Sequence, residues 1–200
     1  MTRRPFHHGN LRAVLLDEAT AVVRESGVAG LSLRDLARRA GVSHGAPRSH
    51  FVDRQALLDA LAQLGFERLT SAVRGALDAG GPLPDRLRRV AHAYVDFAVD
   101  DAALMDLMFE TKVTQQSQGV QEAAGVLFGT LDGALGPAPR DEAEDGPRVT
   151  FKMLFAATMQ GIAALVASGR IERPHGDHLV DSAMDTMLGS ELAARVITAS

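Results

Sequence analysis

The 200-residue chain has no cysteine and no tryptophan, and aromatic residues make up only 4% of it. Without cysteine there are no disulfides and no thiolate metal sites, which suits a reducing cytoplasm. With so few aromatics, the core must rest mainly on Leu, Val, Ala and Met. No run of about 18 apolar residues occurs, which argues against a membrane span. The first residues, MTRRPFHHGN, lack the apolar character of a secretion signal. No segment alternates with period two, so strands are not expected. A glycine-rich phosphate loop is absent, as is any Ser/His/acid grouping in a catalytic motif, so an enzyme is not expected. The acids Asp141, Glu142, Glu144 and Asp145 lack the spacing and glycine of a calcium loop. Adjacent His7 and His8 do not make a ligand set, and His175 and His178 read as capping or surface residues. Neither a metal nor a cofactor is expected.

What is present is unevenly distributed. The net charge is −4, which argues weakly against a nucleic-acid partner. Residues 1–54, however, hold nine arginines against five carboxylates, while the remainder carries 12 basic and 20 acidic residues. A basic end on an acidic body suggests that only that end meets a polyanion.

The apolar spacing is helical nearly everywhere. A first helix runs from Leu11, with Asn10 as its cap, to a stop at Gly27. A second spans Leu33 to Ala40, with Ser32 as cap, Asp35 placed to reach back to the cap amide, and Gly41 as stop. Ser43 is expected to cap a third helix, His44 to His50. Asp53 begins a long fourth helix that ends at Gly80, Gly81 and Pro82. Leu87, Val90, Ala91, Tyr94, Phe97 and Ala98 repeat at helical spacing, and further helices are expected at about 101–109, 116–135, 148–168 and 177–199, with the acidic stretch 136–147 as a connection. About nine helices give an all-α chain.

A capped helix following a glycine turn is the helix-turn-helix arrangement. One helix fits the major groove, provided a second braces it from behind. Leu33, Leu36, Ala37 and Ala40 supply the bracing face, and Val42 and Phe51 hold the ends of the outer helix. His44, Gly45, Ala46, Pro47, Arg48 and Ser49 are left outward, small enough for close approach to base edges. Arg38 and Arg39 fit either a solvated face or the DNA-facing side, and Arg3 and Arg4 either a tail or an arm. Pro47 is costly inside a helix, at about 3 kcal/mol, and less so in a first turn. With Gly45 it makes a helix too weak to stand alone.

The stretch GVSHGAPRSHF resembles the recognition segment of the TetR family, commonly written AGVSxGxLYxHFxxK. SLRDLARRA is similar to that family's preceding helix, and HHGNLRAVLLDEA to the opening of a large branch of it. The specific match covers about residues 7–65. The resemblance implies a homodimer that binds double-stranded DNA through residues 1–54 and a small-molecule effector through residues 55–200, with repression as its activity. On this resemblance Ser43 is the helix cap, and Arg54 takes the place of a lysine that grips phosphate. Arg48 replaces a tyrosine and is suited either to phosphate or to a guanine edge. With Ser32, Arg34, His44, Gly45, Ala46, Pro47 and His50, these form the expected DNA-binding set.

In the acidic body, Tyr94, Phe97, Met105, Met108, Phe109, Phe128, Phe155 and Met159 read either as plain core or as a soft pocket for a largely apolar effector. Glu110 and Lys112 follow that run. Ala157, Gly161, Ala164 and Ser168 draw a stripe of small residues, opposite the bulkier Phe151, Phe155, Thr158 and Ile162. With Val180, Met184, Met187 and Leu188 of the last helix they are expected to form the dimer contact. Two other readings compete: a helical enzyme or carrier, which the missing catalytic motifs oppose, and an architectural DNA-binding protein, which the acidic body opposes.

Overall fold

The computed structural model describes residues 11–109, 117–136 and 146–197. The expectations placed on Arg3, Arg4, His7, His8, Asn10, Glu110, Lys112 and residues 141–145 lie outside these. Among the described residues there are nine α-helices: α1 (Leu11–Ser26), α2 (Leu33–Arg39), α3 (Arg54–Asp78), α4 (Leu83–Asp100), α5 (Ala102–Phe109), α6 (Gln118–Ala134), α7 (Pro147–Ala167), α8 (Arg173–Leu188) and α9 (Glu191–Val196). Short 3-10 turns occupy Val28–Gly30 and Ala46–Ser49. The chain is all-helical, as its periodicity implies, but two elements differ from expectation. The outer segment of the helix-turn-helix is a 3-10 turn, and the last helix is two. Its first half begins at Arg173 because Pro174 sits in the first turn, where a missing N–H costs no intrahelical bond. It stops at Leu188, and Ser190 then caps α9 by accepting from the Ala193 amide at 3.2 Å.

The chain divides into two compact units. The first comprises the described residues through Gly65 and those within Ala103–Gln121. Here α1 packs on α2, and α2 on the turn Ala46–Ser49. Leu15, Ala19, Leu36, Ala37, Phe51 and Leu57 are buried; each large aliphatic among them contributes roughly 1.5–3 kcal/mol by leaving water. At Gly65 two helices come close. A Cβ there would lie 2.5 Å from Met108 Sδ and 2.8 Å from Met108 Cγ, so α3 and α5 meet against bare backbone.

The second unit comprises Phe66–Ala102 and the described residues from Glu122 on. α7 runs along α4 and packs on α8 and α9, and α4 also packs on α8. Leu87, Val90, Phe151, Phe155, Met159, Val180 and Met184 fill the interior. Two arginines of α4 close the C-terminus of α3: Arg86 Nε donates to Leu77 O at 2.8 Å, and Arg89 Nε to Ala76 O at 3.1 Å. Cations are favoured at that end of a helix. Arg148, 4% exposed, closes α6 in the same way. It bonds the Asp132 carboxylate at 3.0 Å, the Asp132 carbonyl, and the Gly136 carbonyl at 2.6 Å. Lys152 adds a second cation to Asp132 at 2.5 Å, and these bonds hold the Asp132 carboxyl below its ordinary pKa.

Helix α7 is long and apolar enough to cross a membrane by length and composition, which the absence of an unbroken apolar run had argued against. It lies instead along three other helices and is pinned at its start by buried Arg148. Only 28% of its apolar stretch is buried within the chain.

Candidate DNA-binding site

Ser32 caps α2, but not in the expected pattern. Its Oγ accepts from the Asp35 amide at 3.1 Å and donates to Asp35 Oδ2 at 2.9 Å, so the carboxylate takes the hydroxyl. That bond, and a weaker one from Arg38, holds the Asp35 carboxyl below its usual pKa. The far end of α2 closes around Gly41, whose φ of +66° only glycine adopts without strain. Gly41 N donates to Arg38 O at 3.3 Å and Val42 N to Ala37 O at 3.0 Å. This pair of bonds is a Schellman closure, and it reverses the chain within two residues.

The reading segment follows. Ser43 uses its carbonyl rather than its side chain: Ala46 N donates to Ser43 O at 3.0 Å, and no side-chain cap is formed. Arg48 N donates to Gly45 O at 3.1 Å, and His50 N and Phe51 N both donate to Pro47 O, at 3.0 and 2.9 Å. The i to i+3 pattern has a direct cause. An α-helix begun at Ser43 would need an amide at residue 47, and proline has none. Proline also disfavours α geometry at the residue before it, Ala46. The segment therefore tightens into a 3-10 turn with Pro47 near its start. Pro47 is buried, which corrects the expectation that its ring faces outward, and the turn that carries it packs on α2.

The outward residues are Ser43, His44, Gly45, Arg48, Ser49 and His50, with Ala46 half-buried. Ser49 Oγ is committed to Ala46 O at 2.7 Å. Among the described residues the Arg48 side chain has no bonded partner, and neither has that of exposed Arg34. Arg38 has only a mostly exposed contact with Asp35 at 3.4 Å, a kind of pair that contributes little. Arg39 is tied down: it grips Glu25 of α1 at 2.7 and 3.4 Å, which lowers the Glu25 pKa and raises its own. The two arginines that sequence could not separate thus differ in their bonds.

Arg54 is also engaged within the chain. Its Nε donates to Leu31 O at 3.2 Å and its Nη2 to Val28 O at 2.7 Å, stapling the start of α3 to the loop before α2. Asp53 caps α3 by accepting from the Ala56 amide at 2.8 Å. Arg12 was not among the expected residues. It is exposed and lies over the Phe51 ring, with Cζ 5.6 Å from the ring centre, a cation–π contact beside the turn. A motif-based reading had no means to find this pair, because the two residues lie 39 positions apart.

In the second unit, Tyr94 donates its hydroxyl to Gln160 Oε1 at 3.1 Å and meets the Phe155 ring edge-on at 6.5 Å. Burial pushes its pKa up to about 12. Phe155 and Met159 are buried, Phe97 is half-buried and Phe128 exposed. Met105, Met108 and Phe109 belong to the first unit; the two methionines are buried there and Phe109 is exposed. The expected pocket set is therefore not gathered in one unit. The expected dimer set also divides. Ala157, Gly161, Ala164 and Ser168 lie on the exposed face of α7, and a Cβ at Gly161 would meet nothing within 4 Å. Val180, Met184 and Met187 are buried inside the chain, so they are not available to a second copy as expected, and Leu188 is half-buried. The helical period placed them on an apolar face, and α4 and α7 already cover it.

A helical chain whose basic end carries a glycine-closed helix-turn-helix belongs, by class, with helix-turn-helix regulators. Residues 15–61 match the family model described as bacterial regulatory proteins, tetR family, and residues 87–188 match that of the tetracyclin repressor-like C-terminal domain. The chain belongs to the tetR family. A structure from Rhodococcus sp. RHA1, of a protein with unknown function, superposes with a TM-score of 0.77 and 36% identity, covering 93% of this chain and 97% of that one. The HTH-type transcriptional regulator CymR of Pseudomonas putida is 33% identical over 87 residues, 44% of this chain and 43% of CymR. The HTH-type transcriptional activator FasR of Mycolicibacterium smegmatis is 28% identical over 137 residues, 68% of this chain and 63% of FasR. The matches thus span less than two thirds of either curated relative.

Proposed function

We propose that this protein is a cytoplasmic, homodimeric transcriptional repressor that binds a palindromic DNA operator and is released by a small, largely apolar molecule. On this reading residues 1–54 contact DNA, and residues 55–200 bind the effector and form the dimer. The observation that carries it is the turn Ala46–Ser49. It buries its proline and presents the unbonded Arg48 side chain outward, beside exposed His44 and Gly45. Arg34, exposed at the start of α2, supplies a second cation whose side chain is unbonded.

Dimerisation is supported by α7. Met153 and Leu154 are 64% and 47% exposed, and they continue into exposed Ala157, Gly161 and Ala164. An apolar strip of this length on a single chain is the kind of surface a second copy covers. Two linked copies then address half-sites one helical turn apart, about 34–36 Å.

The test is operator binding by the chain and by Arg48→Ala, using DNA from beside its own gene. If Arg48 holds phosphate, the variant binds all sequences more weakly and the salt slope falls by about one unit. If it reads guanine, one operator position loses its preference by about 1–3 kcal/mol. Unchanged affinity at low and high salt refutes both roles. Deleting the gene raises transcription from the operator-bearing promoter; a fall would make the protein an activator, as FasR is by name.

A further inference from the structure

Six threonines lie among the described residues, and five of them behave alike. Thr20, Thr130, Thr150, Thr158 and Thr186 each donate the hydroxyl to the carbonyl four residues earlier, at 2.7 to 3.1 Å. The sixth, Thr70 on α3, does not. It is 4% exposed, and its Oγ1 is buried with no hydrogen-bond partner. The Phe66 carbonyl stands four residues before it in the same helix. A change of one side-chain rotamer is all that a threonine ordinarily needs to use such a carbonyl. Buried hydroxyls are nearly always satisfied, and one that is not calls for a specific cause. Around it on the same face of α3 lie Phe66, Val73 and Leu77, all buried and apolar.

We infer that the Thr70 hydroxyl is the polar anchor of the effector site, and that the effector is a neutral, mainly apolar molecule carrying one hydrogen-bonding oxygen. The inference rests on the effector-binding reading above. A single hydroxyl on an apolar face rewards one polar group on a ligand. A second such group would be left unpaired, and a charge would find no buried counter-charge on this face of α3, where Glu67 and Arg74 are exposed. Binding supplies the hydroxyl with a partner.

The probes are 1-naphthol and naphthalene, which differ by one hydroxyl. The chain has no tryptophan and a single tyrosine, so probe fluorescence reads binding with little protein background. The wild-type protein binds 1-naphthol about tenfold more tightly than naphthalene, the most that one ordinary hydrogen bond supplies. Thr70→Val keeps naphthalene binding and loses the preference. Because the valine isostere removes an unsatisfied hydroxyl, ligand-free Thr70→Val melts at a higher temperature than wild type. Thr20→Val, which breaks a made bond, melts lower. The inference is overturned if neither probe binds, if the preference survives in Thr70→Val, or if that variant melts below wild type, as it would where an ordered water only satisfies the hydroxyl. Operator binding by the wild type, measured in parallel, separates these failures from failure of the repressor reading.

Discussion

Replacing Arg54 by alanine separates a structural role from the phosphate contact that family resemblance assigns to this position. Its guanidinium makes two bonds to backbone carbonyls, to Leu31 at 3.2 Å and Val28 at 2.7 Å, and so holds the 3-10 turn Val28–Gly30 and the entry to α2 against the start of α3. Hydrogen bonds to a charged group contribute about 1.5–3 kcal/mol each when sheltered and about 0.5–1.5 when water competes. Because the side chain is exposed, the lower range applies, and two bonds give about 1–3 kcal/mol. For a chain of this size each kcal/mol moves the melting temperature by about 2–4 °C, so the central value lowers it by about 4–8 °C. The informative comparison is Arg54→Lys. Lysine keeps the charge but has one nitrogen in place of the two, Nε and Nη2, that here reach separate carbonyls. On the structural argument Arg54→Lys melts nearly as low as Arg54→Ala. Differential scanning calorimetry supplies the measurement, with operator affinity recorded on the same samples. If both variants melt with wild type, while alanine loses operator affinity and lysine restores it, the staple contributes nothing and the arginine serves DNA alone.

Three further outcomes follow from particular residues. Pro47→Ala leaves the preferred operator sequence unchanged in a binding-site selection, because the ring is buried within the chain; an altered preference refutes that reasoning. Gly161→Glu or Ala164→Glu sediments as a well-folded monomer, since each puts an unpaired charge and its symmetry mate into the α7 strip; a folded dimer rules the strip out. Tyr94 is the sole tyrosine, so its ultraviolet titration reports one group: the native chain ionises near pH 12 and the unfolded chain near pH 10. The burial that raises its pKa favours the neutral form, so its contribution to stability is present below pH 10 and lost as pH rises from there towards 12. A native midpoint near 10 refutes the burial.

The helical fold was legible in the sequence because the signals that set it are local. The Gly41 stop and Ser32 cap act within four residues, and Gly80, Gly81 and Pro82 end α3 close to where they stand. Pro47 was misread for the opposite reason. Its burial depends on α2 behind it, and its backbone effect is to change the kind of helix, which apolar periodicity does not register. Val180, Met184 and Met187 were correctly seen as apolar and helical. Period alone does not say whether the covering surface belongs to this chain or to a second copy. Arg54 and Arg12 show the same limit: their partners are 23, 26 and 39 residues away, and a motif names a position without naming what it touches.

The shortness of the reading turn bears on how much sequence information the protein takes from its target. A 3-10 segment rises about 2.0 Å per residue, so the four residues Ala46–Ser49 extend roughly 8 Å. Base pairs are stacked about 3.4 Å apart, so the turn runs past roughly two or three of them. On the proposed reading, one copy specifies too little sequence to single out a site among the millions of alternatives in a genome. Two copies at fixed separation multiply their selectivities, because each must find its few bases at once. The spacing between half-sites then carries as much of the message as the bases do, and inserting or removing a single base pair between them erases it.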